Sequence, residues 1–364
     1  MRVVGRPSEV ADRELPARMT ALRKVEAAPG FSLGTVPVPA PGPTDVLIRV
    51  RKAGICGTDR HIEEWDSWAQ RRIVPPLVIG HEFVGTIAAL GSAVEGFELG
   101  ERVCAEGHLS CGRCVLCRTG EAHICEHVRI LGIDIDGAFA DFVRVPASNV
   151  WSLDPAIPDE AAAIFDPLGN AVHAVMAAGV SARSVAITGV GSIGLMAIPV
   201  ARAAGASAVF AIDVNPAKLA LAERLGADAV FDANDPGVVA AIAARTGGLG
   251  ADALLEMSGS ASAIDLGLHL LRRGGRAALL GIPPNDVALD LAERIIFKGL
   301  TVLGINGRKM FETWYQMEAL VRAGRIDLRP IITHVLPLAA FREGFELMRS
   351  GAAAKIVFDV ESPQ

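Results

Sequence analysis

The feature that most constrains the fold of this sequence is a regular alternation of apolar and alanine-rich segments after residue 180. The apolar segments predict six strands, at residues 184–188, 208–213, 229–232, 253–256, 277–281 and 300–305. The alanine-rich segments between them have the composition of helices. Strands that alternate with helices form a parallel sheet covered on both faces. We therefore predict an α/β domain with a doubly wound parallel sheet.

The preceding part of the chain has a different character. Strand candidates at residues 45–52, 84–90, 102–105 and 139–145 are separated by glycine and proline, which indicates an irregular, strand-rich domain. We predict helices at 161–178 and 311–323 and a strand at 355–360. The length of 364 residues fits two domains. We assign 19–168 to the strand-rich domain, 169–310 to the α/β domain and 311–364 to a return to the first domain. Residues 1–18 are left outside this division, with Met19 as an alternative start.

A glycine run follows the first strand of the predicted α/β domain. Gly189, Gly191 and Gly194 form a GxGxxG pattern that opens a helix predicted at 193–204. Glycines there allow a tight turn and close approach of a pyrophosphate, which the positive end of the helix attracts. Asp213 ends the second strand, where a carboxylate can accept hydrogen bonds from ribose hydroxyls and repel a 2′-phosphate. The pattern indicates an NAD site, and a purely structural turn is the alternative.

Four of the six cysteines lie close together in the sequence. Cys111, Cys114, Cys117 and Cys125 follow the spacing C-x2-C-x2-C-x7-C, and four thiolates can close a tetrahedron around Zn²⁺. Because no ligand position would remain open, we predict a structural zinc. An iron–sulfur cluster is one alternative, but no other feature indicates electron transfer. A zinc ribbon that binds nucleic acid is another, which the net charge of -6 argues against.

A second candidate metal site combines different side chains. Cys56 lies in the segment Gly-Ile-Cys-Gly-Thr-Asp-Arg-His, and His81 and Glu82 follow Gly80. Thiolate, imidazole and carboxylate suit a zinc ion with one open position, at which zinc acts as a Lewis acid. Taken singly, these residues have plainer interpretations as a buried thiol, a core histidine and a solvated charge. Their joint occurrence beside a dinucleotide pattern predicts an enzyme that oxidises an alcohol.

Together these features resemble the zinc-containing medium-chain alcohol dehydrogenases. Cys56, the Gly-His-Glu element, the four-cysteine segment and the glycine run occur in the order and spacing of that family, over roughly residues 20–360. The resemblance implies a GroES-like catalytic domain followed by a Rossmann domain. It also implies NAD and two zinc ions, one catalytic and one structural, as cofactors. Members are commonly homotetramers or dimers, so a homo-oligomer is expected.

The resemblance also implies roles for individual residues. Cys56 and His81 hold the catalytic zinc, and Glu82 is a ligand or a close neighbour of it. Asp166 matches an acidic residue that lies near or on the metal in some members. Thr58 and His61 match a pair that passes the substrate proton to solvent. The implied NAD contacts, besides the glycines, are Ile193, Asp213, Lys218, Leu280, Gly281, Ile282, Ile305 and Asn306.

Several other histidines have no assigned chemistry. His108 either faces the substrate pocket or has a packing role, and His173 is expected to be structural. His123 and His127 belong to no recognisable group.

Several stretches are similar to family members that oxidise L-threonine to 2-amino-3-oxobutanoate, namely 55–61, 106–108, 163–173, 255–259, 281–284 and 311–315. Two features differ from those members. Asn306 stands where an aromatic residue is usual, and residues 134–137 replace a segment that typically carries asparagine and arginine. Asn306 and Ile135 favour a second interpretation, namely that the chain is a polyol or diol dehydrogenase of the sorbitol or butanediol type. A non-catalytic protein that binds NAD and zinc is a third.

Composition limits the partners of this chain. Without a cluster of basic residues, no nucleic-acid partner is expected, and the expected partner is a small-molecule substrate. No apolar stretch is long enough to span a membrane, and the N-terminal segment lacks the apolar core of a secretory signal. Clustered cysteines without such a signal indicate a reducing compartment, so we expect a cytoplasmic protein.

Overall fold

The computed structural model describes residues 15–361, and its first part is built mainly of strands. The strands are β1 (Arg18–Lys24), β2 (Ser32–Pro37), β3 (Asp45–Gly54), β4 (Leu77–Val78), β5 (Glu82–Leu90), β6 (Arg102–Ala105), β7 (His108–Leu109), β8 (Arg129–Ile130), β9 (Phe142–Pro146) and β10 (Val150–Ser152). Four short helices lie between or after them: α1 (Gly57–Glu64), α2 (Ser67–Arg72), α3 (Val115–Arg118) and α4 (Asp159–Ala162).

The next part of the chain alternates helices and strands. Its elements are α5 (Phe165–Ala178), β11 (Ser184–Thr188), α6 (Ser192–Ala203), β12 (Ala208–Asp213), α7 (Pro216–Arg224), β13 (Ala229–Asp232), α8 (Val238–Arg245), β14 (Ala251–Glu256), α9 (Ala261–Leu270), β15 (Leu271–Leu279) and β16 (Thr301–Gly304). The strands form a parallel sheet in the order β13-β12-β11-β14-β15-β16. This is the strand order of the doubly wound dinucleotide-binding fold, so the predicted fold class is confirmed.

The last part of the chain returns to the first sheet. It consists of α10 (Glu312–Arg322), β17 (Ile332–Pro337), α11 (Phe341–Arg349) and β18 (Lys355–Asp359). β18 pairs antiparallel with β3, with Phe358 opposite Ala53. The sheet order is β10-β6-β5-β3-β18-β17, and β9 also pairs with β3. Residues far apart in sequence therefore meet in the strand-rich domain.

One predicted helix is wrong as a continuous element. The alanine-rich segment at 161–178 forms two helices, α4 and α5, which are separated at Ala163 and Ile164. In a continuous helix the ring of Pro167 would clash with the carbonyl group of Ala163 four residues earlier. Pro167 instead occupies the first turn of α5, where its missing N–H would have no intrahelical partner. The break places Asp166 at the amino end of α5.

Helix α5 lies in the largest hydrophobic core and packs against both α6 and α10. Its side chains Phe165, Leu168, Val172 and Val175 are at most 1% exposed. Burial of such a side chain stabilises the fold by about 1.5–3 kcal/mol. This packing fixes the helix that presents Asp166. Across residues 15–361, no helix combines the length and apolarity needed to cross a bilayer.

Candidate active site

The first candidate site lies where α1 and β5 begin. Cys56 is the residue that caps α1, and its N–H donates to Asp59 Oδ2 over 2.8 Å. His81 and Glu82 follow Gly80, which has a φ of 91°. The Phe139 ring lies so close to Gly80 that a Cβ there would be 2.3 Å from the ring. The structure brings one ligand atom of Cys56, His81 and Glu82 within 4.8 Å of one another.

The surroundings of these ligand atoms favour the binding of a cation. His81 Nδ1 and Asp59 Oδ1 are buried, lack a hydrogen-bond partner and lie 3.7 Å apart. Burial alone would lower the pKa of His81, but the neighbouring Asp59 and Cys56 raise this pKa to about 10. The surroundings thus stabilise positive charge at the centre of the group. A divalent metal held by the thiol and the imidazole meets the same demand.

Six further ionisable side chains are buried around Cys56 and His81: Asp59, Glu82, Glu106, Asp166, Arg308 and Lys355. Four of them are acidic and two are basic. Lys355 Nζ lies 2.6 Å from Glu82 Oε2, and Arg308 Nη1 lies 2.6 Å from Asp166 Oδ2. Each acidic residue predicted near the metal is therefore paired with a cation.

Arg308 joins the two domains through a buried network. Its Nε donates to Glu106 Oε2 over 2.9 Å, its Nη2 pairs with Glu106 Oε1, and Trp314 Nε1 donates to Glu106 Oε2 over 2.8 Å. His108 lies at the edge of this network, with its Nδ1 2.9 Å from Glu106 Oε1. Burial would raise the pKa of Glu106, but Arg308 and His108 hold this pKa well below its ordinary value. Glu106 therefore stays ionised and keeps Arg308 in place.

The two residues of the predicted proton relay lie on α1. Thr58 Oγ1 is 3.8 Å from Cys56 Sγ, so the hydroxyl lies beside the candidate metal site. His61 is one helical turn further on, which is the spacing of side chains on one helix face. Its Nδ1 lies 2.6 Å from Asp66 Oδ2, and its side chain is 48% exposed. His61 thus reaches solvent and does not contact the metal ligands.

The glycine run joins β11 to α6. Gly189 has a φ of 83°, and a Cβ there would lie 2.5 Å from the Cβ of Ser258. A Cβ on Gly194 would lie 2.1 Å from the carbonyl oxygen of Gly189. Gly191 caps α6 and faces open space, as the approach of a phosphate requires. Asp213 Oδ2 accepts from the N–H of Val190 over 2.7 Å, which places its carboxylate beside the run.

The other predicted cofactor residues follow the ends of parallel strands. Leu280, Gly281 and Ile282 come directly after β15, and Ile305 and Asn306 come directly after β16. Because carboxyl ends of parallel strands share one edge of the sheet, these residues lie on the same edge as the glycine run. Ile282 and Asn306 are exposed, whereas Ile305 is buried. Ile193 and Lys218 are half-buried, in the first turns of α6 and α7 respectively.

The four clustered cysteines form a separate group. The Sγ–Sγ distances are 3.5 Å for Cys114–Cys117, 3.8 Å for Cys114–Cys125 and 4.0 Å for Cys111–Cys117. A tetrahedron with zinc–sulfur bonds of 2.3 Å has edges of about 3.8 Å. Backbone N–H groups of Cys117 and Glu126 lower the pKa of Cys114 to about 6, whereas burial and the neighbouring thiols raise the pKa of Cys117 to about 11. These four sulfur atoms fit one zinc ion with no position open.

Three residues of the site could not be predicted from the sequence. Arg308 and Lys355 carry no local motif, because Arg308 acts through Glu106 and Asp166 and Lys355 acts through Glu82, all distant in the sequence. Lys355 is 2% exposed and precedes the three apolar residues of its strand, and a lysine at the start of such a run is the signal that the sequence offers. Asp59 lies in the same sequence segment as Cys56. Its role became apparent only from the start of α1, where its carboxylate accepts a hydrogen bond from the Cys56 N–H.

Comparison with known proteins identifies the family. A zinc-binding dehydrogenase domain matches residues 192–323, and an alcohol dehydrogenase GroES-like domain matches residues 42–155. An L-threonine 3-dehydrogenase of Symbiobacterium thermophilum is 49% identical over 340 residues, which cover 93% of this chain and 97% of that protein. The chain belongs to the zinc-containing medium-chain alcohol dehydrogenases. It is therefore a zinc-dependent oxidoreductase, as the sequence predicts.

Solved structures of this family agree with the fold. A zinc-binding dehydrogenase of Sinorhizobium meliloti 1021 bound to NADP matches with a TM-score of 0.87 and 31% identity, over 94% of this chain and 100% of that one. The 2R,3R-butanediol dehydrogenase of Bacillus subtilis matches with a TM-score of 0.85 and 26% identity, over 95% of this chain and 100% of that one. Solved dehydrogenases named for 2R,3R-butanediol and for galactitol-1-phosphate thus share this backbone, so the fold alone does not select a substrate.

Proposed function

We propose that this chain oxidises the secondary hydroxyl of L-threonine with NAD, giving 2-amino-3-oxobutanoate. The observation that carries the proposal is the near full-length likeness, at 49% identity, to a protein named L-threonine 3-dehydrogenase. The geometry supports the chemistry, because the candidate metal ligands and the predicted nicotinamide-binding segment are connected. Arg308 follows Asn306 by two residues and pairs with Asp166, whose charge acts on both His81 and Glu82.

The proposed metal ligands are Cys56, His81 and Glu82, with one coordination position left for substrate. Bound zinc would supply Lewis acidity that lowers the pKa of the substrate hydroxyl, and bound NAD would accept the hydride. Glu82 stays close to the metal, where Lys355 holds its carboxylate by two contacts of 2.6 and 2.8 Å. Asp166 is held by Arg308, so we assign it the role of an electrostatic neighbour.

The proton of the substrate hydroxyl leaves along α1. Thr58 is placed to accept this proton, because its hydroxyl lies next to the Cys56 thiol. His61 passes the proton to solvent from the exposed face of the helix. Asp66 orients the His61 ring through its contact with Nδ1, and this leaves Nε2 as the nitrogen that exchanges protons.

NAD is the proposed cofactor because Asp213 lies beside the glycine run. A carboxylate there accepts hydrogen bonds from the ribose hydroxyls and repels the 2′-phosphate of NADP. Asp213 already accepts from the N–H groups of Val190 and Asn215, over 2.7 and 2.9 Å. These bonds hold the carboxylate in one orientation.

Steady-state assays with NAD test the substrate. We expect kcat/KM for L-threonine to exceed that for 2,3-butanediol and sorbitol, with no comparable rate on NADP. A higher kcat/KM for 2,3-butanediol or sorbitol would favour the hypothesis of a diol or polyol dehydrogenase, which Asn306 supports in the sequence. Bound zinc without turnover on any alcohol would contradict both readings and leave a non-catalytic protein.

We propose further that the chain forms a homo-oligomer through the edge of its parallel sheet. β16 is the last strand of that sheet, and Val302 on it is exposed. The preceding turn exposes Ile296 and Phe297, and the Leu300 N–H donates to Ile295 C=O over 3.1 Å to hold this turn against the strand. An exposed apolar edge strand pairs readily with a second copy. Sedimentation of Val302→Lys should show a smaller assembly than the wild-type chain.

A cytoplasmic location is part of the proposal. The four clustered thiols and Cys56 must remain reduced to bind zinc, and reducing compartments keep them so. Fractionation of cells that produce the chain tests this location.

A further inference from the structure

Two histidines connect the cysteine segment to the α/β domain. His123 lies in the short 3₁₀ helix Ala122–Ile124, between the third and fourth clustered cysteines. His173 lies on α5, and the two ring centroids are 5.3 Å apart with an interplanar angle of 87°. His123 is 6% exposed, and its Nδ1 has no hydrogen-bond partner. His123 is buried and His173 half-buried, and their edge-to-face pair forms a contact between the metal-binding segment and the other domain.

His173 makes a second contact, with the segment that follows β16. Its Nδ1 lies 2.8 Å from the carbonyl oxygen of Gly307. A carbonyl can only accept, so His173 carries its proton on Nδ1 and donates. Gly307 has a φ of 59°, and a Cβ there would lie 3.1 Å from His108 Cε1. Gly307 is thus enclosed between two histidine rings.

The segment 305–308 is the part of the chain that these histidines hold. The Ile305 N–H donates to the Leu279 carbonyl over 2.9 Å, and the Arg308 guanidinium is bound to Glu106. Those two contacts fix the ends of the segment. The His173 bond to Gly307 fixes its middle, directly after Asn306. Ile305 and Asn306 are the residues predicted to lie at the nicotinamide end of the cofactor.

We propose that His173 and His123 are positioning residues for the nicotinamide cofactor: His123 sets the His173 ring, and His173 holds the segment 305–308 in its binding conformation. The inference rests on the proposed NAD-dependent function. Neither histidine touches the cofactor, and both act through the Gly307 backbone. The cysteine segment thereby influences cofactor affinity in addition to stabilising the fold.

Fluorescence titration with NADH tests the inference on the full-length chain loaded with zinc. His173→Leu should weaken NADH binding roughly fivefold, as loss of one hydrogen bond predicts, and raise KM for NAD more than it lowers kcat. His173→Asn should restore most of the affinity, because its amide nitrogen takes the place of Nδ1. His123→Leu should weaken binding by a smaller factor. His127→Leu, an exposed histidine of the same segment, is the matched control and should bind as the wild type does.

Zinc content and melting temperature are measured alongside, so that loss of fold is separated from loss of positioning. A folded His173→Leu with unchanged NADH affinity would overturn the inference, as would equal affinities for the Leu and Asn variants. If His173→Leu does not fold, the comparison moves to His173→Gln, whose amide lies nearer the Nε2 position. The His173→Asn variant must then bind NADH more tightly than the His173→Gln variant. Equal affinities, or a higher affinity of the His173→Gln variant, would refute the inference. A wild-type chain that binds no NADH would overturn the proposed function as well.

Discussion

Replacing Arg308 by methionine removes the buried charge that connects the two domains. Its side chain is 1% exposed, and it forms ion pairs with Glu106 and Asp166, whose side chains are 0% and 8% exposed. Removing one partner of a buried ion pair costs about 3–5 kcal/mol, because the remaining charge is left uncompensated. For a urea slope of about 3 kcal/mol/M, the midpoint of unfolding should fall by about 1 M or more.

The assay is urea unfolding at neutral pH, followed by tryptophan fluorescence. Arg329→Met is the matched control, because Arg329 makes a two-pronged ion pair with Asp327 in which the side chains are 77% and 50% exposed. This control should leave the midpoint unchanged. Adding Glu106→Gln to Arg308→Met should recover part of the loss, since one uncompensated carboxylate is then removed. A loss for Arg308→Met no larger than that of the control would refute the reasoning.

The same network predicts a pH dependence. The pKa of Glu106 lies below its unfolded value, so its stabilising contribution is complete above the unfolded pKa of about 4.3. That contribution is lost as the pH falls from there towards the folded pKa. The stability difference between the wild type and Glu106→Gln should therefore shrink on acidification below about pH 4.5. A difference that stays constant across this range would contradict the depressed pKa.

Three further outcomes are expected. Cys117→Ser should lower the zinc content by one ion per chain and reduce the midpoint of unfolding, as measured by atomic absorption and urea titration, because a structural zinc contributes folding energy. Asp213→Ser should raise kcat/KM for NADP relative to NAD by roughly tenfold or more, since the repulsion of the 2′-phosphate is removed. Burial lowers the pKa of Lys24 to about 8, so the unfolded chain holds more protons between pH 8 and about 10.4. The stability of the wild type relative to Lys24→Met should therefore rise with pH across that window, and a fall would contradict the assignment.

The fold was predictable where its determinants are local. β11, β12 and β13 have the bounds expected from their apolar segments. For β11 and β12 the reason is that a buried parallel strand is apolar on both faces, whereas β13 is a half-buried edge strand. The glycine run was recognisable for a similar reason, since its turn and its helix start lie within a few residues. The helix predicted at 161–178 was wrong because Pro167 interrupts the preceding turn, and the sequence contains this signal.

The charged surroundings of the site were not predictable in the same way. Glu106 and Arg308 are 202 residues apart, and Glu82 and Lys355 are 273 residues apart. These pairs form only because β18 joins the first sheet and because the segment after β16 packs against the strand-rich domain. Sequence spacing carries no information about such contacts. The ligand types at Cys56 and His81 were apparent from the sequence, whereas the cations that restrain Glu82 and Asp166 required the structure.

The central claim is that Cys56 and His81 hold a catalytic zinc distinct from the zinc of the four-cysteine segment. Zinc stoichiometry and kcat/KM of Cys56→Ser, measured on the same preparation, test this claim most directly. The wild type should hold two zinc ions per chain and Cys56→Ser one, with kcat/KM reduced by about a thousandfold or more and the fold retained. A Cys56→Ser chain that retains two zinc ions, or that turns over within tenfold of the wild type, would contradict the account.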